Sequence, residues 1–382
     1  MNPLYETMSV SVFERMSLAA AKHDAVNLGQ GFPDFGWPDP VLEKAATALA
    51  GNNQYAPSRG LPVLRRAIAD HYQRHFGQDL HPDHVTVTSG ATEALGAAIL
   101  ATVTPGEEVI IFAPAFDSYA PMVRRAGGTP VEVKLVAPDF ALDATAIAHA
   151  ITDKTRAIIL TNPHNPTGRL YGETELQLIA DIAVAHDLIV ISDEVWEHLL
   201  LDGQRFVPMA TLPGMAERTI KTGSAGKIFS LTGWKIGWFV ADPVLGDVVA
   251  RAHQFLTFSS ARNLQEAVAY GLGRDEWIAP MQDRFTRARD RLINGLERAA
   301  YAVIRPEATY FLAVDLAASG IDIDDESFAM RAVEDAGVAV VPMSAFTEVD
   351  PETHLLRLCF AKQDATIDAG IDAMAKAREL LT

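Results

Sequence analysis

Between residues 84 and 242 the chain repeats one pattern: a short run of β-branched and apolar residues, then a stretch with helical period. The runs are HVTVTS from His84, EVIIFAP from Glu108, TPVEVKL from Thr129, AIILTNP from Ala157, LIVISDE from Leu188, TIKTGS from Thr219 and IGWFVAD from Ile236. Most are apolar nearly throughout, as expected of strands covered on both faces. Segments between them, such as ATEALGAAILATV and ETELQLIADIAVAHD, have helical length and period. Such alternation predicts an α/β domain with a mainly parallel sheet.

The flanks differ. Residues 1–40 are loop-rich, and GFPDFGWPDP carries three prolines. From about 276 to 299 a charged amphipathic helix is expected (DRFTRARDRLINGLERA), followed by the strand-like YFLAVDL, GVAVVPM and HLLRLCF. The expectation is a large domain over 40–275 and a smaller α+β domain from 1–39 and 276–382. A chain of 382 residues has length for two or three domains.

Composition narrows the function classes. Acidic side chains number 49 against 32 Lys and Arg, a net charge of −17. That argues against nucleic-acid binding and against attachment to an anionic membrane surface. Cys359 stands alone, so no disulfide framework forms within the chain, and inside LLRLCF it reads as a small buried hydrophobe. The N-terminal MNPLYETMSVSVFERMS lacks a signal peptide's apolar stretch, and no run approaches the ~18 apolar residues of a membrane span. A cytoplasmic protein is expected, with no metal.

Ligands of open α/β sheets bind at the carboxyl ends of the strands. HVTVTS runs into Gly90-Ala91-Thr92-Glu93 and a helix, which is either an anion site at a helix N-terminus or a plain turn with Thr88 or Ser89 near the cap. AIILTNP runs into TNPHNPTG, where Asn165 offers a side-chain amide beyond two Asn-Pro pairs. LIVISDE ends on Asp193 and Glu194; buried carboxylates there require a cationic partner, unless Asp193 is a helix cap. TIKTGSAGKIFSLTGWKIGW sets Lys227 and Lys235 among Gly, Ser and Thr, with Phe229, Leu231, Trp234, Ile236 and Trp238 too apolar for an ordinary surface loop. A lysine of lowered pKa forms a Schiff base with an aldehyde, and a second can neutralise a phosphate. Arg357, inside HLLRLCF, needs an anionic partner and suits a carboxylate, from a substrate or a structural salt bridge. The set fits pyridoxal phosphate with an amino-acid substrate.

Over nearly its whole length the chain resembles the fold-type I, class I/II pyridoxal-phosphate-dependent aminotransferases. It is most similar there to the kynurenine, methionine and glutamine aminotransferases and to N-succinyldiaminopimelate aminotransferases. The matching stretches are VNLGQGFPDF, NQYAPSRGLPVLRRAI, VTSGATEAL, FAPAFDSYAPM, LTNPHNPTG, ISDEVWEHL, SAGKIFSLTGWKIGW and LRLCFAK. The resemblance implies a seven-stranded, mainly parallel sheet sandwiched by helices plus a smaller domain.

It also implies roles. Lys227 matches the lysine that binds the cofactor covalently and shuttles the substrate proton. Asp193 matches the acid on the pyridinium nitrogen, Asn165 the amide on the phenolic oxygen and Phe116 the aromatic stacked on the ring. Gly90, Ala91, Thr92, Ser224 and Lys235 match the phosphate site. Tyr55 matches a tyrosine that reaches the neighbouring subunit's cofactor, which implies a homodimer. Arg357 matches the arginine on the substrate carboxylate, with Gly31 lining that end. Phe13, Thr92 and, from the other subunit, Phe258 and Ser259 fall near the substrate side chain. Trp196 departs from the pattern, standing where relatives carry Tyr. Indole has an N–H donor but no phenol, so the lysine-linked cofactor is expected to titrate at a different pH.

The implied reaction is ping-pong transfer of an amino group from an L-amino acid, apolar, aromatic or sulfur-containing, to a 2-oxo acid. Rivals are a C–S β-lyase of the same fold, an N-succinyldiaminopimelate aminotransferase and, from another class, the cofactor-binding domain of a transcription regulator. The last needs a DNA-binding module for which the chain has no spare length. A dinucleotide-dependent dehydrogenase would need Gly-x-Gly-x-x-Gly after the first strand, where none occurs.

Overall fold

The computed structural model describes residues 1–6, 8, 10–36 and 38–381. In chain order its first strands are β1 (Val26–Asn27), β2 (Val85–Thr88), β3 (Glu108–Ala113), β4 (Thr129–Lys134), β5 (Thr155–Thr161), β6 (Ile189–Asp193), β7 (Thr219–Ser224) and β8 (Gly237–Val240). Among the described residues β2 to β8 form one seven-stranded sheet, in the order β2-β8-β7-β6-β5-β3-β4. All seven runs read from the sequence are strands of it. Pairing is parallel from β7 through β6, β5 and β3 to β4, while β8 runs antiparallel to both β7 and β2.

The unbroken apolar runs are explained by burial on both faces. Ile110, Phe112, Ile158, Leu160 and Val190 enter one core, and Val109, Ile111, Ala157, Ile159 and Ile191 enter another on the opposite face. Alternate side chains of a strand point to opposite faces, so both sets are drawn into a core and the polar alternation of a one-sided sheet is missing.

The C-terminal third adds β9 (Ala302–Ile304), β10 (Phe311–Asp315), β11 (Val338–Ala339), β12 (Val341–Pro342) and β13 (Leu355–Cys359). An antiparallel sheet runs β12-β13-β10-β9. The sequence run GVAVVPM divides: β11 pairs in parallel with β1, and β12 pairs with β13. That pairing joins the N-terminal segment to the C-terminal third. The charged amphipathic helix spans Ile278–Arg298 and buries Phe285, Leu292, Ile293 and Leu296.

A buried charge cluster braces β6 and β7. Lys221 on β7 is 1% exposed and meets Glu194 Oε2 at 3.0 Å and Glu197 Oε2 at 2.6 Å. Its ammonium lies 3.7 Å above the Tyr72 ring. Glu194 Oε1 also accepts from Ser192 Oγ (2.8 Å) and the Met209 amide (2.9 Å). Tyr72 Oη donates to Glu197 Oε1 at 3.1 Å and accepts from Trp238 Nε1 at 2.7 Å. The cation required by the acids ending β6 therefore exists, but it serves Glu194. Replacing Lys221 by Met strands two buried carboxylates, a loss of about 3–5 kcal/mol in stability. Urea unfolding should show it; a change below about 1 kcal/mol would mean that the cluster does not brace the sheet.

Candidate active site

At the carboxyl end of the sheet a cavity of about 180 Å³ is lined by Gly90, Ala91, Thr92, Phe116, Asn165, Asp193, Trp196, Ser224, Lys227 and Lys235, among others. It thus gathers every residue that the sequence assigned to the cofactor except Tyr55. Topology explains the gathering. β2, β3, β5, β6 and β7 all end there, and Ser224 at the end of β7 pairs with Gly237 at the start of β8. The intervening residues 225–236, with both lysines, must lie at that edge.

Gly90 is the N-cap of the helix Ala91–Thr102, with φ +79° and no side-chain capping bond. Thr88 and Ser89 directly precede this cap: Thr88 Oγ1 donates to the Gly90 carbonyl at 2.9 Å, and the Ser89 amide donates to Glu93 at 2.5 Å, so neither side chain caps the first turn. Uncapped N–H groups and the helix dipole make an anion cradle. A Cβ at Gly90 would lie 3.1 Å from Lys235 Nζ, so the ammonium stands over the helix start. A Cβ at Gly237 would strike the Ala91 nitrogen at 2.5 Å; glycine there lets β8 approach the turn.

Asp193 is buried at the end of β6. The sequence predicted a cationic partner or a capping role; instead Tyr119 Oη donates to Oδ2 at 2.6 Å and Thr222 Oγ1 to Oδ1 at 3.1 Å. Burial pushes its pKa up, opposed by these hydroxyls and by Lys227. Hydroxyl donors orient the carboxylate without neutralising it, so its charge remains available to a ligand cation. Tyr119 and Thr222 were not singled out in the sequence; the only signal was their presence in FDSY and TIKTGS, beside motif residues.

Arg357 on β13 is 1% exposed, and no carboxylate pairs with it among the described residues. Nη1 donates to Asn165 Oδ1 at 3.2 Å and Nη2 to the Gly29 carbonyl at 3.1 Å, while Nε has no partner. None of the described residues supplies the expected anionic partner. The rings of Phe311, Phe13 and Phe346 lie 4.0, 4.9 and 5.2 Å from the guanidinium. Phe13 and Phe346 touch at 5.6 Å, and a Cβ at Gly31 would meet the Phe311 ring at 2.8 Å. Burial lowers the Arg357 pKa to about 10, which leaves it charged near neutrality.

Lys227 sits on the short helix Ala225–Ile228. Burial lowers its pKa to about 8, with Arg357 and Lys235 adding to the effect and Cys359 and Asp193 opposing it. Nζ lies 4.3 Å from the Trp196 ring and donates to Tyr310 Oη at 2.8 Å. Tyr310 is a neighbour that the sequence reading did not identify.

Tyr55, Phe258 and Ser259 are not part of the cavity within this chain. Tyr55 is 82% exposed and packs edge-on against Phe258 at 5.6 Å. It lines a separate cleft with Ser259 and Arg262. Elsewhere His71, His75 and Asp275 bring potential ligand atoms within 4.8 Å. Asp275 is clamped by Arg74 through both oxygens (3.1 Å each), and His71 Nε2 is bonded to His198 at 2.7 Å, while His71 Nδ1 has no partner.

The donor set fits pyridoxal phosphate: an anion cradle backed by Lys235, a buried acid held by hydroxyls, and between them an amine of lowered pKa. Comparisons with known proteins agree. The model of the family "Aminotransferase class I and II" matches residues 23–374. The chain is 46% identical over 378 residues to the probable N-succinyldiaminopimelate aminotransferase DapC of Mycobacterium tuberculosis, covering 95% of each. It is 38% identical to the methionine aminotransferase of Escherichia coli, covering 96% of each. The solved structure of N-succinyldiaminopimelate aminotransferase from Mycobacterium tuberculosis superposes with a TM-score of 0.96 at 45% identity, over 99% of this chain and 100% of that one. The chain belongs to the class I and II aminotransferases and is a pyridoxal-phosphate-dependent enzyme of that family.

Proposed function

We propose that Lys227 is the residue that holds the cofactor covalently and moves the proton at the substrate α-carbon, and that the donor is an L-amino acid with an apolar, aromatic or sulfur-containing side chain. The observation that carries this reading is the opening of one amine, one buried acid and one anion cradle onto a single cavity. When bound, pyridoxal phosphate supplies an aldehyde for the amino group and a ring that takes up the electron pair left at the α-carbon.

The chain's own residues do the rest. The amides after Gly90, with Ser224 and Lys235, fix the phosphate. Asp193 keeps a proton on the ring nitrogen, its carboxylate oriented by Tyr119 and Thr222. Asn165 accepts from Arg357 through its oxygen, which leaves its NH₂ for the phenolic oxygen. Phe116, in the cavity wall, would stack on the cofactor ring. Arg357 grips the substrate α-carboxylate, with Gly31 at its side. Lys227 Nζ, neutral above about pH 8, takes the proton from the α-carbon and returns it on the other side of the cycle. Trp196, packed against Tyr310 with ring centroids at 4.6 Å, walls the amine's position.

Donor preference follows from the ring cage. Phe13, packed on Phe346 beside Arg357, and Thr92 in the cavity wall favour a side chain without charge. The second reading, N-succinyldiaminopimelate as donor, is supported by the 46% identical relative. β-Elimination by a C–S lyase uses the same residues and is separated by its products, pyruvate and ammonia. The same reading has the division at 40–275 against 1–39 and 276–382, a cytoplasmic location, and a homodimer in which Tyr55 and Phe258 meet a second copy. The 82% exposure of Tyr55 and 84% exposure of Phe255 support that contact.

Lys227→Ala should still bind pyridoxal phosphate but lose the lysine-linked absorbance, with turnover down by more than roughly a thousandfold. Retained absorbance would move the role to another lysine. Arg357→Lys gives up the planar fork and should raise the donor KM by about 10–100-fold, with a smaller effect on kcat. An unchanged KM would remove Arg357 from the carboxylate site. An amino-donor panel with several 2-oxo acids should rank methionine and phenylalanine above charged donors; preference for N-succinyldiaminopimelate would install the second reading.

A further inference from the structure

Tyr310 precedes β10 and is 1% exposed. Its Oη donates to the Gly31 carbonyl at 2.5 Å and itself accepts from Lys227 Nζ at 2.8 Å. A phenol has one proton, and a carbonyl can only accept, so the direction of both bonds is fixed: Tyr310 presents only lone pairs to Lys227. Among the described residues it is the sole hydrogen-bond partner of that amine. The Trp196 ring, 4.3 Å from Nζ and T-shaped to Tyr310, closes the other side.

Burial holds the Tyr310 phenol well above its ordinary pKa, so it stays neutral and trades no proton with the lysine. Other ionisable groups acting on Nζ come from different elements: Arg357 and Cys359 from β13, Asp193 from β6, and Lys235 from the segment before β8. Tyr310 alone among these groups makes a hydrogen bond to Nζ.

We propose that Tyr310 is a positioning residue that receives the amine of Lys227 whenever that amine is not bonded to the cofactor, and that through Gly31 it ties this resting place to the segment beside Arg357. The Gly29 carbonyl accepts from Arg357 Nη2, and Gly31 packs on Phe311, so one short stretch of backbone contacts both groups that engage the substrate. Arrival of a donor frees the amine, and the phenol oxygen keeps it at the cavity wall, available to the α-carbon. The inference rests on Lys227 being the covalent lysine.

The test is a single turnover of the holoenzyme with donor alone, followed by cofactor absorbance across pH, in wild type and Tyr310→Phe. An accepted hydrogen bond favours the protonated amine. Its removal should move the midpoint of the pH–rate curve down by about half a unit or more, roughly a threefold loss of proton affinity. The half-saturating donor concentration should rise about tenfold, because the displaced amine loses its acceptor. A midpoint within about 0.2 units of wild type would show that the bond merely packs the ring, and would overturn the proposal. Should Tyr310→Phe fail to fold, 3-fluorotyrosine at position 310 keeps both bonds with a poorer acceptor; a downward shift supports the proposal and an unmoved midpoint overturns it. If Lys227 is not the covalent lysine, borohydride leaves it unmodified in the wild type, a failure distinct from an unmoved midpoint.

Discussion

The site rests on the reversal of β8. Six strands of the central sheet run one way, and β8 alone lies antiparallel among them, with Ser224 opposite Gly237. A parallel neighbour would need a long crossover over the sheet. The antiparallel return instead keeps residues 225–236 at the carboxyl edge. That confinement sets Lys227 beside Asp193 and brings Lys235 over Gly90, where a side chain at Gly237 would collide with the Ala91 amide. Amine, acid and anion cradle are consequences of one strand's direction.

Buried charge is distributed in two ways. Lys221 is saturated, with two carboxylates and an aromatic ring around it. Arg357 and Asp193 are not. Arg357 has a side-chain amide, a carbonyl and three rings, and its Nε has no partner; Asp193 has two hydroxyls. A buried charge without a counter-ion is costly, and such groups cluster where a ligand supplies the missing charge. Here the missing charges are an anion at Arg357 and a cation at Asp193, and both are carried by an amino acid reacting on a protonated pyridine ring. The saturated cluster braces the strands from beneath, since Glu194 is the neighbour of Asp193 in sequence.

The sheet was legible because its strands are buried on both faces, and burial leaves no polar alternation to misread. Lys227, Asp193, Asn165 and Arg357 were legible because each breaks an apolar or turn-rich run with a residue whose burial is costly. What the sequence hid were partners distant along the chain. Tyr119, Thr222 and Tyr310 look like ordinary aromatic and β-branched residues, and their hydroxyls acquire meaning only when folding brings them to Asp193 and Lys227. The rule that a buried acid needs a cation is met at Glu194, by Lys221, whereas Asp193 beside it in sequence is held by two hydroxyls. The three-residue β9 was invisible for a simpler reason: it is too short to show a period.

The central claim is that the amine of Lys227 carries pyridoxal phosphate. Borohydride reduction of the purified, cofactor-loaded protein followed by peptide mass mapping tests it directly. The account predicts a phosphopyridoxyl mass on the peptide containing SAGKIFS, fixed to Lys227. An unmodified Lys227, with the label on another lysine or on none, would contradict it.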